Sequence, residues 1–93
     1  MVVGSLEIQI LIGESHSLKA RRRVVKSLKD RIRAKFNVSV ADVGDQDVWQ
    51  RITLGVAAVS NDRRFLNEVL SKVLDVVGGD PRVEIIGQRM TID

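Results

Sequence analysis

Nine of the chain's 15 lysines and arginines fall in one stretch, SLKARRRVVKSLKDRIRAKF (Ser17 to Phe36), beside a single acid, Asp30. Ammonium and guanidinium groups at this density bind anions, and each one that meets a phosphate displaces counterions from it. With successive residues turned by about 100°, Lys19, Arg22, Arg23, Lys26, Lys29 and Arg33 gather on one side of a helix. Arg23 stands at the margin of that group. Arg21, Arg31 and Lys35 lie nearer the flanks, and Arg21 points into the apolar stripe at the first turn, where its stem could snorkel. The plain alternative is a solvated face that only keeps the protein soluble. The charge partition speaks against that alternative. The segment carries +8, whereas the remaining six bases and 11 acids give −5. An acidic body with one basic helix predicts an anionic partner.

Other side chains offer less. Asp42, Asp45 and Asp47 form an acid cluster, but without the glycine and closing glutamate of a calcium loop they read as turn and strand-end caps. One histidine, His16, and no cysteine make a transition-metal site or a thiol nucleophile an unsupported reading. His16 next to Ser17 is adjacency in sequence and not triad geometry; Ser17 is better used as a helix N-cap. Neither GxxxxGK[ST] nor GxGxxG occurs, and GGDP is a turn. Trp49 with Arg51 could make a secondary contact, an aromatic beside a cation. The plainer reading has Trp49 covering the core edge and Arg51 pairing with Glu7 across a sheet face. We therefore expect no catalytic residues, no cofactor and no metal.

The elements that must position these groups follow from periodicity. Leu6, Ile8, Ile10 and Ile12 alternate with Ser5, Glu7, Gln9 and Leu11, which predicts a half-buried strand over residues 2–12. The opening MVVGSLEIQILIG has no basic leader and reads as strand, not signal peptide. A helix follows from Ser17 to about Phe36, with Leu18, Val24, Val25, Leu28, Ile32 and Phe36 as its apolar stripe and Asn37 closing it. NVSVADV is a short strand, the segment 44–47 a turn, and VWQRITLGVAAVS a long strand. A second helix, capped by Ser60 or Asn61, buries Phe65, Leu66, Val69, Leu70, Val73, Leu74 and Val77 and stops at Gly78 and Gly79. RVEIIGQRMTI is the last strand; a bulge near Gly87 would account for its irregular inward phase.

Ninety-three residues make one domain, here residues 1–93. The order βαββαβ with right-handed crossovers predicts an α+β, ferredoxin-like two-layer sandwich: an antiparallel four-stranded sheet in the order 4-1-3-2 with two helices on one face. The other face stays open. RNA-recognition domains of this shape stack bases on strand aromatics, but this chain has no Tyr, and both Phe residues sit on helix stripes. Sequence-specific single-strand readout is therefore not expected. Leu11, Ala57 and Val59 suit the open face to pairing with another sheet, as in a homodimer.

SLKARRRVVKSL, FNVSVADV and DVWQRITLGVAAVSND together resemble the YlxP-like family, small bacterial domains of unknown function. The resemblance is close over about Leu6 to Asp62 and departs at Asp42, where family members tend to carry Glu. It implies a ferredoxin-like fold, and it supplies no activity and no functional residues. Genes of this family commonly stand beside translation-initiation and ribosome-maturation genes, which implies a role near ribosomal RNA. The expected function is a cytoplasmic, non-enzymatic protein that contacts structured RNA through the basic face of the first helix, with no membrane role. The alternative is a homodimeric protein-interaction module or adaptor working through the open sheet face.

Overall fold

The computed structural model describes residues 1–13, 17–44 and 50–93. The elements are β1 (Val2–Ile12), α1 (Leu18–Lys35), β2 (Ser39–Asp42), β3 (Arg51–Ser60), α2 (Arg63–Gly78) and β4 (Val83–Ile92). Period-two hydrophobicity makes β1 and β3 the centre of the sheet. Leu6, Ile8, Ile10, Ile52 and Leu54 are wholly buried on the face that both helices cover. Leu28 and Ile32 of α1 and Leu70, Val73 and Val77 of α2 close the same core. Each such side chain contributes about 1.5–3 kcal/mol by leaving water.

All strand pairs are antiparallel and the order is β2-β3-β1-β4, the expected ferredoxin-like arrangement. β4 pairs with β1 until the register shifts between Gln9 and Ile10, where Gly87 and Ile85 are the successive partners and Ile86 is the extra residue. This bulge lets Ile85 on one side of it and Met90 and Ile92 on the other all pack against the core.

Ser17 caps α1, its Oγ accepting from the Ala20 amide at 3.1 Å. The helix ends at Lys35 with Phe36 as C-cap, one residue short of the expected Asn37. The N-cap of α2 differs from expectation. Asp62 fills it, since its carboxylate reaches the amides of both Arg64 and Phe65, while Ser60 Oγ accepts from the Asp62 amide. A carboxylate there also meets the positive end of the helix dipole. Phe65 is not in the core: it is 53% exposed. It sits roughly 110° round α2 from the centre of the Leu66–Leu70–Val73–Val77 stripe, too far to reach the sheet.

Candidate anion-binding surface

The first four turns of α1 bury Val24, Val25 and Leu28, and this turns the interleaved basic residues outward. Lys19, Arg22 and Arg23 are exposed and Lys29 is half-buried. Among the described residues, none of these four forms an ion pair. Lys26 Nζ lies 2.7 Å from Asp30 Oδ2 in an exposed i,i+4 pair, of the kind worth only a few tenths of a kcal/mol. The hydrogen bond from Lys26 holds the Asp30 carboxyl below its ordinary pKa. Arg33 takes a different role from the one expected. Its Nη2 donates to the Val40 carbonyl at 2.9 Å. The Val43 amide donates to Thr53 O, which sets the ladder phase so that Val40 turns its backbone groups away from β3. Arg33 thus covers part of the outer edge of β2.

Arg21 does not snorkel. It is 3% exposed, with Nη1 2.6 Å from Asp42 Oδ2 and Nη2 3.3 Å from the Arg51 carbonyl. Asp42 is a strand-end cap, as expected, because its Oδ1 accepts from the Gly44 amide at 3.3 Å. It is also the buried partner of Arg21, which local reading of the chain did not reveal. Arg31 is drawn away on the opposite flank. Asp80, 2% exposed, accepts from Arg31 Nη1 at 3.2 Å and from the amide, Nε and Nη2 of Arg82. Arg82 Nη2 also reaches Ser27 Oγ. These donors, the Arg82 side chain foremost, bring the Asp80 pKa down to about 2 against the cost of burial.

The fold therefore gathers part of the expected set. Arg22, Lys26 and Lys29 line a cleft of ≈ 300 Å³ between α1 and the end of β2. Lys19 and Arg23 stay exposed on the same helix, and Arg33 sits further along it at the β2 edge. Arg51 is not with them. Its neighbour Ile52 is buried under the helices, so the Arg51 side chain lies on the open face, opposite Leu11. Nor does Arg51 face Glu7, which stands opposite Gly55 on one side and Arg89 on the other. Trp49, His16, Asp45 and Asp47 lie outside the described residues. No aromatic residue occurs in any of the four strands. Among the described residues no group of His, Cys, Asp or Glu is arranged to hold a metal ion, and no helix is long and apolar enough to cross a membrane.

Residues 3–90 match the family model described as Protein of unknown function (DUF503). The chain belongs to DUF503. A relative, the Uncharacterized protein YlxP of Bacillus subtilis (strain 168), is 39% identical over 83 residues, covering 89% of this chain and 90% of the relative. Among solved structures, a de novo designed protein with ferredoxin fold superposes with a TM-score of 0.57 at 11% identity, covering 99% of this chain and 85% of that one. That likeness concerns the fold alone. The DUF503 description carries no activity, so the surface of α1 must be read from its own chemistry.

Proposed function

We propose that this DUF503 chain is a cytoplasmic, non-enzymatic binding module that contacts structured RNA, ribosomal RNA first among the candidates, through the outward side of α1. Lys19, Arg22, Arg23 and Lys29 are the principal phosphate contacts, with Lys26 and Arg33 beside them. One observation carries the reading: among the described residues these four cations are left without a carboxylate. Their charge is available to a ligand. A strand surface without aromatics favours backbone contact over base stacking. Gel-shift titration against ribosomal RNA fragments at rising salt tests the proposal. Binding at low salt that disappears when Lys19, Arg22, Arg23 and Lys29 are changed to Glu is expected. Absent binding at low salt, or full binding by the charge-reversed protein, would end it.

A second reading is a homodimer or adaptor working through the open sheet face. Val3, Val43 and Val59 support it, being 41%, 57% and 64% exposed. Val3 and Val59 are cross-strand partners at one end of that face. Sedimentation velocity of the pure protein separates the readings: a dimer insensitive to salt favours the sheet face.

A further inference from the structure

Arg22, Lys26, Lys29 and Arg33 follow one another at three- and four-residue steps and so share one flank of α1. The bond from Arg33 to the outward carbonyl of Val40 locates that flank over the free edge of β2. The chain reverses direction between α1 and β2. Lys29, Lys26 and Arg22 therefore overhang the far end of the strand, at Asp42. There the helix flank and the strand end enclose the ≈ 300 Å³ cleft, with Leu18 and Val25 as its apolar surface.

Among the described residues, four cations and one acid border this recess: Arg21, Arg22, Lys26 and Lys29 against Asp42. The acid is already engaged, by Arg21 at 2.6 Å and by the Gly44 amide. A formal excess of +3 among the described lining residues, +2 once the Asp30 paired with Lys26 is counted, thus faces a concave space. Lys29 is half-buried within it and has no carboxylate partner among the described residues. Charge held in a recess with less water acts more strongly on a ligand than the same charge on an open ridge. A tetrahedral phosphate group suits that excess better than a carboxylate, because its oxygens can accept from several cationic donors at once. The arginine fork and the lysine point charge are the two side chains that most often hold phosphate.

We propose that the cleft between α1 and the end of β2 is a phosphate-binding site, gripped by Arg22 and Lys29 with Lys26 at its rim. It deepens the RNA reading by naming the point at which a backbone phosphate is anchored. The phosphate could equally belong to a free phosphorylated ligand, and the two sources are separable. The full chain is titrated with inorganic phosphate at constant ionic strength, followed by amide NMR shifts, and separately with a short RNA duplex. Two double variants remove equal charge: R22Q/K29Q from the cleft and R64Q/K72Q from the exposed side of α2. Among the described residues none of these four side chains holds an ion pair, so both variants should fold, which a thermal melt verifies.

Saturable phosphate shifts confined to residues 18–29 and 40–44 are expected. R22Q/K29Q should weaken phosphate binding about tenfold or more, with R64Q/K72Q changing it less than about twofold, since one lost charge-assisted contact amounts to roughly a factor of ten. Phosphate binding without duplex binding leaves the site standing and removes the RNA reading in favour of a free phosphorylated ligand. Duplex binding that both variants weaken equally, or phosphate shifts that never saturate, overturns the site and leaves only diffuse attraction.

Discussion

Arg21 and Asp42 stand 21 residues apart in the chain and 2.6 Å apart at their charged ends, with side chains only 4% and 9% exposed. Removing one partner of such a pair strands the other in a poorly hydrated site. Arg21→Met and Asp42→Ala should each cost about 3–5 kcal/mol by urea denaturation, and the double variant clearly less than their sum. Additive losses would mean that the two charges do not depend on each other. Asp80 makes a pH-dependent contribution of definite sign. Its folded pKa of about 2 lies below the ordinary aspartate value of 3.8. The stabilisation is therefore complete above the unfolded pKa, and it is lost as pH falls from about 4 through about 2. At about 1.4 kcal/mol per pKa unit, this shift is worth about 2 kcal/mol. Asp80→Asn should flatten that part of the stability curve and lower stability at neutral pH, where Arg31 and Arg82 lose their shared acceptor. An unchanged acid limb in the variant would assign the acid sensitivity to other carboxylates.

At the scale of elements, α1 is fastened on both flanks and so presents its basic side in one orientation. Arg21 ties its first turn to β2 and to the start of β3, and Arg33 ties its last turns to the β2 edge. On the other flank Arg31 and Ser27 meet Asp80 and Arg82 at the junction of α2 and β4. The opposite sheet edge is treated in the same way as β2, since Arg63 of α2 donates to the Ile92 carbonyl at 3.0 Å. Cationic side chains on edge strands discourage pairing with other chains. Gly44, just after β2, admits little change. A Cβ on Gly44 would lie 2.9 Å from the Thr53 side chain and 3.2 Å from its backbone nitrogen, whereas one on Gly87 would meet the movable end of Gln9. Gly44→Ala should therefore lower the melting midpoint, by about 1–3 kcal/mol in stability terms, with Gly87→Ala much milder. Equal effects at the two sites would contradict this account of Gly44.

Across the whole molecule the basic segment is the exception in a chain that is otherwise acidic. Attraction of this kind is felt as salt dependence. Four phosphate contacts at Lys19, Arg22, Arg23 and Lys29 should give a slope of log K against log salt of roughly −3 to −4, and each substituted cation should reduce it by somewhat less than one. A slope near zero, with affinity retained, would point to an apolar interface in place of a charged one. The open sheet face is the surface on which such an interface would form. Four strands about 4.8 Å apart give it a width of under about 20 Å, so a face-to-face pair buries an area near the low end for specific association. A salt-independent dimer would therefore be weak unless other surfaces join it.

The alternation in β1 and β3, the three-four spacing in both helices and the glycines at 78 and 79 were enough to read the ferredoxin-like order directly. These signals are local: each strand or helix shows its buried face through its own spacing. The outward position of the basic residues was legible for the same reason. What those residues meet was not. Arg21 with Asp42, Arg31 with Asp80 and Arg33 with the Val40 carbonyl join positions distant in sequence or on different elements, and only packing brings them together. The same packing left Phe65 in solvent and moved the α2 cap to Asp62, because the direction in which α2 leaves β3 is set by the core and not by the capping residues alone. The sequence by itself determined which side of α1 is positive. The tertiary structure decided which of those charges are spent within the fold and which are left for a partner.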